Sequence, residues 1–172
     1  MASTLPTDRS SGPPLASILG RTPRLGVPMD DARFNSTQGP PAGGDTGFDY
    51  FVSIVIHLEG GYVNDPDDPG GETNMGISKR SYPNEDIKGM TTERASAIYY
   101  RDFWTPARCE LLPYRLQGIH FDASVPSGVS RAAKILQNAA GVPVDGVIGP
   151  KTLAAAQNVT VEEYAESRLA WY

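Results

Sequence analysis

From Phe48 onward, Phe48, Phe51, Val52, Val55 and Ile56 recur at the three- and four-residue intervals of an α-helix. At about 100° per residue the same stripe runs on to Glu59. There Gly60-Gly61 can supply a left-handed residue that ends the helix and turns the chain sharply. Only Tyr62 to Ile77 invites strands, as one small β-hairpin. Helical patterning then resumes over Thr92 to Trp104, carrying Ala95, Ile98, Tyr99 and Trp104 behind Thr91-Thr92-Glu93 as an N-cap region. A second helix is expected over Pro113 to Val125, with the proline near its first turn. A third, capped by Ser127 or Ser130, shows Ala132, Ala133, Ile135, Leu136 and Ala139 as its stripe. Pro150 suits the first turn of a short helix, and Thr160-Val161-Glu162-Glu163 opens the last one, with acidic residues where the dipole favours them. The pattern predicts a mostly α protein.

The stripe sets the chemistry of Glu59. Burial disfavours a carboxylate anion and raises its pKa, and the partial negative charge at a helix C-terminus acts in the same direction. A general acid needs that retained proton together with access at a rim. Taken alone, a glutamate before Gly-Gly is more often a structural helix-end residue. The segment that follows, Asn64-Asp65-Pro66-Asp67-Asp68-Pro69-Gly70-Gly71-Glu72-Thr73, changes the balance. Glycosidases commonly pair one protonated carboxyl with one ionised carboxylate. Asp68, then Asp65, then Asp67 are the candidates for the second role, and the Thr73 hydroxyl is a candidate to hold the attacking water. Glu72 reads as a solvated turn residue or a partner for Lys79 or Arg80. A polar β-turn is the plain alternative for the cluster. A calcium loop fails on spacing, because Pro69 would take the third ligand position and Gly76 the place of the final glutamate.

Residues Phe48 to Leu153 resemble the lysozyme-like N-acetylmuramidases of glycoside hydrolase family 108. The resemblance is carried by Glu59-Gly60-Gly61-Tyr62-Val63-Asn64-Asp65, by Gly70-Gly71-Glu72-Thr73-Asn74-Met75-Gly76-Ile77 and by Ala95-Ser96-Ala97-Ile98-Tyr99-Tyr100-Arg101-Asp102-Phe103-Trp104. It continues through Phe121-Asp122 and Leu136-Gln137 to Asp145-Gly146-Val147-Ile148-Gly149-Pro150-Lys151-Thr152-Leu153. It implies Glu59 as the catalytic acid and a lysozyme-like two-lobed fold with one small β-hairpin. It is similar, more distantly, to the Glu…Asp…Thr spacing of phage-type lysozymes, which points to Asp68 and Thr73, although the final interval here is one residue shorter. Tyr62, Trp104 and Tyr82 are candidates for stacking on sugar rings, and Asn74 for a polar substrate contact. Where the family usually has Ala-Val-Asn near the start of a long central helix, this chain has Ser124-Val125-Pro126. The stretch from about 128 to 172 resembles small peptidoglycan-binding modules, as an integral C-terminal subdomain whose glycines serve structure at least as readily as sugar contact.

Composition separates the first 47 residues from the rest. They hold seven of the 15 prolines and seven of the 18 glycines, and four arginines balance four aspartates. Such a segment does not bury enough apolar surface to fold alone. We expect residues 1–47 to be an extended tail, either an anchor ordered on a partner such as a virion or tail protein, or a flexible linker. The expected domain is then 48–172, which carries the whole net charge of −5. That sign speaks against nucleic-acid binding. No apolar run is long enough for a signal peptide or a membrane span, so no membrane insertion is expected and delivery falls to a holin lesion, another secretion route or a virus particle. The single cysteine, Cys109, reads as a core thiol, and His57 and His120 as packed or hydrogen-bonded residues. Two histidines are too few for a zinc site, and no cofactor is expected.

These expectations combine into a phage-encoded muramidase, virion-associated or held in the host cytoplasm before release, acting on the β-1,4 bond between N-acetylmuramic acid and N-acetylglucosamine in the cell wall. Two other readings stay open. A lytic transglycosylase would keep Glu59 and leave anhydro ends, and a peptidoglycan-binding or scaffold protein would keep the fold without turnover.

Overall fold

The computed structural model describes residues 47–64 and 71–171. The expected tail lies outside them, apart from Gly47, and so do Asp65, Asp67 and Asp68. Helix α1 spans Gly47–Glu59 and ends, as the periodicity predicts, on Glu59 itself. Gly60 follows with φ 80°, the left-handed residue that only glycine adopts without strain, and its N–H returns to the Ile56 carbonyl. Phe48, Val52 and Val55 are buried, with Phe51 and Ile56 packed beside them.

The hairpin differs from the expected one. Strands β1 (Thr73–Asn74) and β2 (Ile77–Ser78) pair antiparallel, Thr73 opposite Ser78 and Asn74 opposite Ile77. Met75 and Gly76, with φ 49° and 77°, form the two-residue turn between them. Positive φ at both positions gives the twist that a tight hairpin needs. Tyr62-Val63 joins only through a bridge from Val63 to Thr73, whose two backbone hydrogen bonds are 2.8 Å each.

Helix α2 (Thr92–Tyr99) is capped by the Thr91 hydroxyl, which accepts the Arg94 N–H at 3.2 Å. It runs on through Tyr100–Trp104 as a π-helical turn, with the Thr105 N–H reaching back to the Tyr100 carbonyl. The wider turn changes the helical phase and brings Trp104 inward to 3% exposure. After a short 3₁₀ turn at Cys109–Leu111 come α3 (Tyr114–Ser127), α4 (Val129–Ala139), α5 (Pro150–Ala156) and α6 (Val161–Leu169). Neither Ser127 nor Ser130 caps α4. Gly128 with φ 82° occupies the N-cap, and the Ser127 hydroxyl instead donates to the Ala123 carbonyl. Pro126 lies in the last turn of α3, not near a helix start. Thr160 and Glu163 form a reciprocal capping box on α6, with Thr160 N–H to Glu163 Oε2 at 2.8 Å and Glu163 N–H to Thr160 Oγ1 at 3.1 Å.

Two hydrophobic clusters meet on α3. The first gathers α1, the hairpin and α2, and takes Phe121 from α3. The second gathers α4, α5 and α6, and takes Leu116 and Ala123. Residues 128–171 are thus packed on α3 and share its core.

The Asp145–Thr152 loop is organised from inside. Gln137, 1% exposed, spreads its amide protons over Asp145 Oδ1 (2.7 Å), the Val147 carbonyl (3.0 Å) and Thr152 Oγ1 (3.3 Å), while its oxygen accepts the Gly146 N–H at 2.8 Å. Cys109 is fully buried, and burial pushes its thiol up. His120 is also fully buried, with Nδ1 2.9 Å from the Tyr164 hydroxyl and Nε2 3.2 Å from the Ala107 carbonyl. Among the described residues no helix is long and apolar enough to cross a membrane.

Candidate active site

Glu59 ends α1 beside the β1–β2 turn. The Met75 N–H donates to the Gly60 carbonyl at 3.1 Å, which holds the turn against the helix end. Tyr99, at the end of α2 and 1% exposed, donates its hydroxyl to the Met75 carbonyl at 3.0 Å. Solvent reaches Glu59, but protein crowds its carboxyl: a Cβ on Gly76 would stand 3.0 Å from its Cγ and 3.2 Å from its Cδ. The Glu59 pKa is raised, first by burial and then by the negative charge of Asp122. Burial chiefly, and then the same Glu59 charge, pushes the Tyr99 phenol up. These shifts hold a proton on Glu59 to higher pH and leave Tyr99 neutral.

Asp122 is the residue that sequence reasoning passed over. In the sequence it is only the polar half of Phe121-Asp122, between buried positions of α3, and its meaning appears once α3 packs on α1. There its charge bears on Glu59, and its carboxylate accepts Arg168 Nη1 of α6 at 2.6 Å. The ion pair leaves Asp122 about half exposed and fixes an anion near the candidate acid.

The other expected residues are distributed unevenly. Thr73 lies in β1, with its backbone paired to Val63 and Ser78. Tyr62 is 38% exposed, and its hydroxyl donates to Glu72 Oε1 at 3.2 Å. Glu72 therefore partners Tyr62, while Lys79 turns its ammonium to the Glu85 carbonyl. Asn74 faces inward at 6% exposure and donates to the Ile87 carbonyl at 3.0 Å, which makes it a brace for the hairpin. Trp104 packs edge-on against Phe48 and Phe121, with ring centroids at 5.3 and 5.5 Å, and offers no open face to a sugar. Tyr82 is half-buried, with its hydroxyl given to Asp102 Oδ2 at 3.0 Å. Asp65 and Asp68 lie outside the described residues, in the segment between Asn64 and Gly71. Among the described residues no group of His, Cys, Asp and Glu side chains forms a metal site.

Residues 52–128, from the middle of α1 to the end of α3, match the family model described as Glycosyl hydrolase 108. Among curated proteins none matches the chain. A solved structure, that of SagA from Brucella abortus, is 37% identical and superposes with a TM-score of 0.63, over 72% of this chain and 78% of that one. The chain belongs to glycosyl hydrolase family 108. As a family 108 protein it is a glycoside hydrolase of the lysozyme type, and its substrate class is peptidoglycan. The matched span of the family 108 model contains Glu59, the hairpin, Tyr99 and Asp122, and stops where α4 begins.

Proposed function

We propose that this family 108 enzyme hydrolyses the β-1,4 bond between N-acetylmuramic acid and N-acetylglucosamine, with Glu59 as the general acid. The observation that carries the reading is the position of Glu59. It is the last residue of α1, reached by solvent, crowded by the hairpin turn, and biased toward its protonated form. A protonated carboxyl at a rim can donate to the leaving glycosidic oxygen as the C–O bond breaks. The second carboxylate comes from the segment between Val63 and Thr73, Asp68 first and Asp65 next, with the Thr73 hydroxyl holding the water. Tyr62 supplies a ring for an adjoining sugar. The outcome at the anomeric carbon follows from the separation of the two carboxyls, since retaining sites are tighter than inverting ones.

The test compares wild type with Glu59→Gln on purified peptidoglycan, following soluble muropeptides and their ends. We expect the substitution to abolish turnover and the wild-type products to carry reducing muramic-acid ends. Anhydro ends would replace hydrolysis with transglycosylation, and sedimentation with the wall without turnover would make the protein a binder.

We also propose that residues 1–47 tether the enzyme to a phage particle. The support is their proline- and glycine-rich, charge-balanced composition, which suits a segment ordered on a partner. Tethering would raise the local enzyme concentration at a wall that a net charge of −5 does not attract. Before release the protein would lie in the host cytoplasm. Unchanged incorporation into particles after deletion of residues 1–45 would end this part of the reading.

A further inference from the structure

Three elements converge on the α-carbon of Gly76. A side chain there would overlap the Tyr99 hydroxyl and press on Cγ and Cδ of Glu59. The end of α1, the hairpin turn and the end of α2 therefore meet where only a hydrogen atom fits. Hydrogen bonds run through the same point, from the Tyr99 hydroxyl to the Met75 carbonyl at 3.0 Å and from the Met75 N–H to the Gly60 carbonyl at 3.1 Å. Met75 itself holds φ 49°, a left-handed conformation that a side chain disfavours and that surrounding contacts must maintain.

We propose that Tyr99 is a positioning residue for the catalytic acid: its hydroxyl pins the Met75–Gly76 turn, and bare Gly76 is the wall on which the Glu59 side chain rests. The inference rests on the reading of Glu59 as the acid. Its physical basis is rotameric. A glutamate at the end of a helix has three rotatable bonds, and a wall against Cγ and Cδ removes the arrangements that swing the carboxyl out of line. Tyr99 suits the task because the core, rather than its hydroxyl, places its ring. Phe103 and Phe121 lie 5.8 and 6.1 Å from it, centroid to centroid. The hydroxyl is thus an addition to a ring that would sit there without it.

Among the described residues, the charged and titratable groups that bear on Glu59 are Asp122 from α3, itself paired with Arg168 of α6, and Tyr99 from α2, with the Tyr82 hydroxyl coupled to Tyr99 and committed to Asp102. Removing the Tyr99 hydroxyl changes no charge. It unpins the turn, admits water beside Glu59 and relaxes the burial that raises its pKa.

The test uses the full chain, wild type and Tyr99→Phe, in two measurements. The first is turnover of soluble, uncrosslinked glycan strands. The second is a ¹³C-carboxyl NMR titration of Glu59, assigned by its loss in Glu59→Gln. We expect kcat to fall roughly 10²-fold, the scale of a small misplacement of a reacting group. KM should stay within about twofold, because no substrate contact is removed. The Glu59 midpoint should drop toward the ordinary carboxylate range, with a melting curve showing the variant folded. An unchanged kcat together with an unchanged titration overturns the proposal, and so does a raised KM at constant kcat with that titration unmoved. If wild type turns over no glycan, the functional reading fails on its own. The titration then decides the positioning claim: a lowered midpoint in Tyr99→Phe supports it and an unmoved one ends it.

Discussion

Replacing Gln137 by leucine should dismantle the Asp145–Thr152 loop while leaving the candidate active site intact. Leucine keeps a comparable volume in a site that is 1% exposed, so the change deletes hydrogen bonds without opening a large cavity. The two amide protons serve three acceptors, and the amide oxygen takes the Gly146 N–H at 2.8 Å. Four hydrogen bonds are therefore lost, at about 1 kcal/mol each. Gly146 and Val147 lie in the loop, where water can take over some of their bonding, which holds the total to about 3 kcal/mol. A domain of this size has a total stability of roughly 5–15 kcal/mol, so the loss is a large fraction. It corresponds to a melting temperature lower by about 10–15 °C. Urea unfolding of wild type and variant at neutral pH gives the difference, read at unchanged slope. Glycan turnover at 25 °C should stay within about twofold, because the change conserves volume and Glu59 ends α1, whose apolar face packs in the other hydrophobic cluster. A loss below about 1 kcal/mol would show that Gln137 does not organise the loop. Reduced turnover at unchanged stability would show that the loop touches sugar.

Two further outcomes depend on pH. Asp122→Asn removes the negative charge that helps to raise the Glu59 pKa, so the fall of kcat/KM on the alkaline side should begin at lower pH than in wild type; an unmoved or upward-shifted limb in the pH–rate profile contradicts the placement of Asp122. Burial, the main cause, brings His120 down to about 4, below its unfolded value near 6.5. Between those values the unfolded chain binds the extra proton, so the contribution is complete above pH 6.5 and disappears as the pH drops to about 4, amounting to about 3 kcal/mol. Urea unfolding between pH 7 and 4 should show that slope, and His120→Gln should flatten it.

What could be read from the residues alone was what short stretches of chain decide. The α1 stripe and its end at Glu59 follow from helical phase and a glycine that accepts φ 80°. The Thr160–Glu163 capping box is likewise contained in four residues. The misses arise where distant segments decide. Met75-Gly76 forms the tight turn although it lacks the usual Asn-Gly pair, because Tyr99 and Gly60 hold Met75 from outside the hairpin. Trp104 looked available to a ligand, but the π-helical turn shifts its phase into the core. Ser127 had the chemistry of an N-cap, yet its hydroxyl is taken by Ala123 one turn back on α3. Asp122 carries no local mark of its effect on Glu59, since that effect exists only after α3 has packed on α1.

Helix α3 gives Phe121 to one hydrophobic cluster and Leu116 and Ala123 to the other, and so has no single apolar side. Such a helix behaves as a shared keel. A change in volume on either flank is transmitted across its backbone to the opposite one, because packed interiors pass strain along instead of absorbing it. Paired substitutions across α3, one from each cluster, should therefore interact energetically although their side chains never touch. In a lineage of such enzymes the two lobes would have to drift together, with this helix as the member whose substitutions both must accept.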